Sequence, residues 1–212
     1  HVNRLHEQET DLNTVIFQNR DGTKTLYYFA QPVKYVDETG QVRDKNNCLV
    51  KVTDPLYAAD YGYVNGSNDI QTYFPKSLNT DSGLLLRNEN TAIELQPLSS
   101  FGALETTMPA GDHAMAQADY EQTQQVLNTV ELPAKAAAAD LLTPETIQYR
   151  QVFGEHTALQ YTPTYSGFKE DIILTQYNGV NEFTFRLKTN GLTMAREDGQ
   201  YYLADPLTGE RV

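Results

Sequence analysis

Residues 181–188, Asn-Glu-Phe-Thr-Phe-Arg-Leu-Lys, restrict the fold more than any other stretch of this chain. Phe183, Phe185 and Leu187 fall on one side of an extended backbone, and Glu182, Thr184, Arg186 and Lys188 on the other. A period of two marks a strand with one buried face and one wet face, the usual arrangement in antiparallel sheets.

Variants of the pattern recur along the chain. Residues 14–19 and 24–30 read as strands joined by a turn at Asp21-Gly22, where glycine supplies the positive φ of a tight hairpin. Pro32 suits a strand start or a sheet edge. Residues 33–36 and 41–44 pair around 37–40, and 49–53 form a further strand. Segments 61–64 and 70–74 flank a loop at 65–69, and 84–86 and 92–95 flank one at 87–91. Strand signals return at 147–153, 158–162, 168–175, 182–189 and 200–204. About ten to twelve short strands without crossover helices predict a mainly β protein, a large antiparallel β-sandwich.

Two regions break the pattern. Residues 1–13 are polar and are expected to fray. Residues 99–145 are rich in Ala, Gln, Thr and Glu; Met115, Asp119, Gln122, Val126 and Val130 lie at helical spacing, but the apolar stripe is thin, and Pro133 ends it. This segment is expected either as a mobile acidic insertion or as short helices laid loosely on a sheet. The halves at 14–98 and 146–212 are expected to pack as one domain rather than two lobes. Residues 200–212 read as a hairpin interrupted in its second strand, the expected mark of a piece of a longer polypeptide.

The charge balance bounds the partners. With 16 Lys and Arg against 28 Asp and Glu, the net charge is −12. Such a surface repels phosphate backbones, and no basic cluster interleaves with aromatic residues, so nucleic acid is not an expected partner. No apolar run reaches the roughly 18–20 residues of a membrane span, so no membrane insertion is expected. Cys48, the only cysteine, excludes an internal disulfide, and Leu49, Val50 and Val52 beside it predict a buried structural thiol. Fourteen Tyr with no Trp fit a Tyr-rich extracellular protein.

Chemistry is sparse. His1, His6, His113 and His156 show no metal-ligand spacing, and neither a Gly-x-Ser-x-Gly elbow nor a phosphate-cradling loop is present. Glu170 and Asp171 are adjacent, so in a strand they point to opposite faces and cannot act as a same-side acid pair. No cofactor is expected; the acidic turns at 65–69 and Asp198-Gly199 are solvated turns by default, with weak calcium binding the alternative. Tyr27, Tyr63 and Tyr201 are candidate glycan-stacking rings, set against the ordinary use of tyrosine at exposed strand positions.

Several stretches together resemble a known pattern. Phe17-Gln-Asn-Arg-Asp-Gly-Thr-Lys-Thr, followed by Gln31-Pro-Val-Lys-Tyr-Val-Asp-Glu-Thr-Gly-Gln-Val-Arg-Asp-Lys-Asn-Asn, resembles the amino-terminal region of secreted bacterial RHS/YD-repeat proteins of the wall-associated type. Tyr149-Arg-Gln-Val-Phe-Gly-Glu-His-Thr-Ala-Leu-Gln-Tyr, Gly167-Phe-Lys-Glu-Asp-Ile-Ile-Leu, Phe183-Thr-Phe-Arg-Leu-Lys-Thr-Asn-Gly-Leu and Asp205-Pro-Leu-Thr-Gly-Glu continue it. Val42 replaces the family's usual Trp, and Lys45-Asn46-Asn47 its Ile-Asp-Asn signature. The resemblance implies a non-catalytic structural and interaction module of a large secreted or cell-surface bacterial protein, packing beside neighbouring domains of the same polypeptide. In that family a YD-repeat shell and a carboxy-terminal toxin carry the activity. The rival expectations are a carbohydrate-binding module that attaches the parent to cell-wall or host glycan, and, third, a glycosidase-like sandwich using Glu170 or Asp171.

Overall fold

The structure, a computed structural model, describes residues 1–98, 106–107, 146–177 and 179–211. Among these the protein is mainly β, and every named strand pairing is antiparallel. Strands β1 (Asn3–Arg4), β2 (Thr14–Gln18) and β3 (Lys24–Tyr28) form a small sheet in that order. The β2–β3 turn is pinned by the Asn19 amide on the Thr23 carbonyl and by the Thr23 amide and hydroxyl on the Asp21 carboxylate. Strands β4 (Lys34–Val36) and β5 (Val42–Asp44) make a separate hairpin.

The next strands are β6 (Asn46–Lys51), β7 (Tyr61–Ser67), β8 (Gln71–Pro75), β9 (Ser77–Leu78), β10 (Leu84–Arg87), β11 (Ala92–Leu98) and β12 (Thr106–Thr107). After them come β13 (Ile147–Arg150), β14 (Thr157–Thr164), β15 (Gly167–Leu174), β16 (Thr184–Asn190), β17 (Thr193–Glu197) and β18 (Gln200–Ala204). The main sheet has six strands in the order β16-β11-β10-β8-β7-β6, and a second sheet runs β13-β14-β15. Short pairs β9–β12 and β17–β18 complete the set.

Alternating side chains on the two larger sheets meet in one core. Leu49, Phe74 and Leu84 from the main sheet pack with Leu78 and with Ile147, Tyr149, Leu159 and Tyr161 from the second, joined by Val152 and Phe153 beyond β13. Full burial of each aliphatic or aromatic side chain contributes roughly 1.5–3 kcal/mol relative to exposure. Aromatic edges add to the core: Tyr149 and Tyr161 meet at 6.1 Å within the second sheet, and Phe153 meets Phe183 and Phe185 at 5.2 and 5.4 Å. Strand β16, from late in the chain, pairs with β11 along seven residues, Thr184 against Leu98 through Asn190 against Ala92.

Three local expectations are revised. Residues 1–13 do not fray: β1 pairs with β2, residues 6–8 form a 3-10 turn, and the Glu9 side chain is 2% exposed inside an ion-pair knot. A polar composition cannot reveal that its charges find partners elsewhere in the chain. Phe183 and Phe185 pack against the core as the alternation requires, but Leu187 is 40% exposed because β16 is the outermost strand of its sheet. Strand β17 was not anticipated; Thr-Met-Ala-Arg-Glu carries no apolar alternation and is held by its pairing with β18. Cys48 is buried, as expected. Apart from β12, the expectation for residues 99–145 lies outside the described residues.

Candidate functional site

Three chain reversals meet at one end of the main sheet and enclose a groove of about 470 Å³. The β4–β5 hairpin supplies residues 35–39, the β7–β8 connection supplies Asn68, Asp69 and Gln71, and the β10–β11 turn supplies residues 87–90. That volume lies within the roughly 300–1,000 Å³ of small-ligand sites.

Each wall is held by its own hydrogen bonds. At the β4–β5 turn, the Asp37 carboxylate accepts from the Thr39 hydroxyl and amide, the Gln41 amide and Arg43 Nε. The Thr39 hydroxyl, then Arg43 and the Gln41 amide, hold its carboxyl well below the usual range. At the β10–β11 turn, Asn88 Oδ1 accepts from the amides of Asn90 and Thr91 and from the Thr91 hydroxyl. Gly191 presses against this turn at φ +72°, and a side chain there would meet the Asn90 carbonyl at 2.8 Å.

At the β7–β8 loop, the Asn68 and Asn47 side-chain amides meet at 3.0 Å, and Asp69 forms an ion pair with Lys45, whose side chain is buried. Lys45 also donates to the Tyr165 carbonyl at 3.0 Å, tying the loop to the second sheet. Arg87 Nη1 donates to the Tyr57 hydroxyl at 2.7 Å with its guanidinium over the Tyr57 ring, which fixes the one cation among the described residues lining the groove. Behind it, Tyr57, Tyr61 and Tyr73 form an aromatic triad, and burial pushes the Tyr61 hydroxyl up to about 12.

A second concentration of charge lies under the amino-terminal sheet. Arg4 donates twice to Glu9 and twice to Asp44, while Lys34 Nζ donates to Glu9 Oε2 at 3.1 Å and to the Thr14 carbonyl at 2.7 Å. Burial by itself would raise the Glu9 carboxyl. Hydrogen bonds from Arg4, the Ile16 amide and Lys34 outweigh it and hold the carboxyl at about 2. With its oxygens taken, this knot joins β1, β2, β4 and β5 and presents little to a ligand.

The sequence candidates are scattered over the molecule. Tyr27 lies on β3, Tyr63 on β7 and Tyr201 on β18, three different sheets. The exposed Tyr27 ring meets Phe17 edge-on at 5.9 Å, and its hydroxyl bonds His1 Nε2 at 2.8 Å. Tyr63 is half-buried against the core, so its ring is largely committed to packing. Tyr201 is 64% exposed, with Arg196 stacked over it at 5.2 Å. Glu170 and Asp171 diverge as their adjacency requires. Asp171 pairs with Lys169 at 2.9 Å, whereas Glu170 turns inward opposite Tyr161.

In the 65–69 turn, Asn65 Oδ1 accepts the Thr72 amide and Asp69 pairs with Lys45, so these oxygens serve the loop itself. Among the described residues, no group of three or more His, Cys, Asp or Glu side chains is placed to hold a metal ion. No described helix is long and apolar enough to cross a membrane. The groove escaped sequence reading because its walls come from three separate turns; their Asn- and Asp-rich composition signals only turns.

Two curated relatives are similar to this chain. The tRNA nuclease WapA of Bacillus subtilis (strain 168) is 39% identical over 79 residues, 37% of this chain and 3% of that protein. The tRNA(Glu)-specific nuclease WapA of Bacillus subtilis subsp. natto (strain BEST195) is 28% identical over 156 residues, 72% of this chain and 6% of that protein. The chain therefore spans a small fraction of the relatives it matches. No family model matches it, and no solved structure matches it significantly.

These relatives correct the functional expectations. The resemblance to RHS/YD-repeat proteins gives way to similarity with proteins named as WapA nucleases, whose names carry no such repeat. The expected non-catalytic, non-enzymatic module is overturned, because both relatives are named as enzymes. So is the exclusion of nucleic acid from the partners, since the substrate in both names is tRNA. The reason is physical: a net charge of −12 describes only a stretch matching 3–6% of such a polypeptide, and says nothing about the field elsewhere.

Proposed function

We propose that this chain is a segment of a larger bacterial polypeptide of the WapA nuclease type, exported to the cell surface and directed at tRNA. One observation carries the reading: similarity to the tRNA(Glu)-specific nuclease runs over 156 residues, 72% of the chain, at 28% identity. A stretch of 79 residues at 39% identity to a second WapA nuclease of the same species agrees with it.

The test is direct. The polypeptide that carries this chain, and the 212-residue chain alone, are incubated with total bacterial tRNA and resolved on denaturing gels. Discrete tRNA fragments from the carrier polypeptide are expected, and the chain alone shows whether the cleaving groups lie within it. Intact tRNA with the carrier polypeptide, under conditions where it is folded, would overturn the reading.

A further inference from the structure

We propose that the groove between the β4–β5, β7–β8 and β10–β11 turns binds an oligosaccharide, neutral or amine-bearing. The inference rests on the groove's geometry and does not depend on the nuclease reading.

The walls leave several polar groups free after their own hydrogen bonds are made. Gln71 Oε1 accepts from the Tyr73 hydroxyl at 3.2 Å, so the Gln71 amide nitrogen keeps its donors. Asn88 uses its oxygen within the turn and likewise keeps a donating nitrogen. The Asn90 side-chain amide and the Glu38 and Glu89 carboxylates line the groove without a partner among the described residues. Arg87 adds a guanidinium fixed by Tyr57. The cavity thus interleaves planar donors with planar acceptors, and sugar hydroxyls, which donate and accept at once, can meet both.

Two other ligand classes fit poorly. A polyanion would face the Glu38 and Glu89 carboxylates against Arg87, since Asp37 is already paired with Arg43 and Asp69 with Lys45. An apolar ligand would find little to bury beyond Val36 and the side of Tyr35, whose hydroxyl is bonded to Ser67 at 2.8 Å. The turns are also braced before any ligand arrives, by the Asp37 and Asn88 networks and the Lys45 tie. Binding therefore costs little ordering entropy, the condition under which a shallow polar groove can hold a soluble ligand.

The experiment is calorimetric titration of the 212-residue chain with three probes: cellotetraose (neutral), a glucosamine tetramer (cationic) and a heparin tetrasaccharide (polyanionic). At least one of the first two is expected to bind with millimolar or tighter affinity, and heparin to bind at least tenfold more weakly. Glu89→Ala combined with Asn90→Ala alters an exposed turn without removing the Asn88 cap, and should weaken binding at least tenfold at unchanged Tm. Tyr201→Ala, far along the chain on β18, should leave it unchanged. Failure of both non-anionic probes, equal binding of heparin, unchanged affinity in the double variant, or loss in Tyr201→Ala instead, would each overturn the assignment.

Discussion

Arg4 grips Glu9 through two parallel hydrogen bonds, Nε to Oε1 at 2.8 Å and Nη2 to Oε2 at 2.9 Å, with Lys34 closing on the same carboxylate from β4. The Glu9 side chain is 2% exposed and that of Lys34 3%, so this pair sits where charge is stable only if matched. The folded carboxyl is held at about 2, below its ordinary 4.5. Its stabilisation is therefore fully present above pH 4.5 and is lost as the pH falls through about 2. Glu9→Gln is expected to cost on the order of 3 kcal/mol at pH 7, because it leaves the buried Lys34 ammonium without its carboxylate and Arg4 with Asp44 alone. Urea unfolding from pH 7 to pH 2 should show a falling acid limb in the wild type and a much flatter one in the variant.

Glu170 predicts the opposite sign. Burial raises its carboxyl, and the facing Tyr161 hydroxyl offsets only part of the rise. Its Oε2 and the Tyr161 hydroxyl are both shut away from water without a well-formed hydrogen bond. A raised folded value means a contribution present below the ordinary carboxyl range and lost as the pH climbs through the folded value. Glu170→Gln should thus stabilise the protein at pH 7 and have no benefit at pH 3. The gain is expected to be under about 1 kcal/mol, since the side chain is only partly buried. Thermal melts at the two pH values check it; a loss of stability at pH 7 would show that the charged form is wanted.

Tyr149 links the two large sheets through a hydroxyl that donates to the Pro75 carbonyl at 2.8 Å, both groups buried. Tyr149→Phe keeps the ring and its packing on Tyr161 but orphans that carbonyl. The expected loss is about 1–2 kcal/mol with no change in fold, measured by chemical denaturation with circular dichroism as the control.

Gly83 lies against the backbone of β11. A Cβ there would collide with the Leu95 carbonyl and come within 2.7 Å of the Gln96 side chain, which is itself fully buried. Backbone cannot yield as a flexible side chain can, so Gly83→Ala should destabilise by about 2–4 kcal/mol. An unchanged Tm would mean that the β10 approach relaxes freely.

The strands were legible because alternation is a local signal. Phe183 and Phe185, or Ile147 and Tyr149, announce an inward face whichever sheet receives them. Glycine-bearing turns such as 19–23 and 37–40 were legible for the same reason: a positive φ demands a particular residue at one position. Nothing local marked Glu9, a carboxylate in a polar stretch, as the centre of a buried knot, because Lys34 lies 25 positions from it and Asp44, which shares Arg4 with it, lies 40 positions from Arg4. The 470 Å³ groove was equally hidden, being assembled from turns near residues 37, 69 and 89.

Side-chain periodicity and turn chemistry act over a few residues, so the order of residues alone dictated a mainly β, antiparallel chain with its greasy faces turned inward. Which strands became neighbours, that β16 closes on β11 at an open edge, and where charges gather into a knot or a groove depended on contacts between distant segments. Those are set when loop closure and burial are resolved together in the packed state, a competition that no short window of sequence contains.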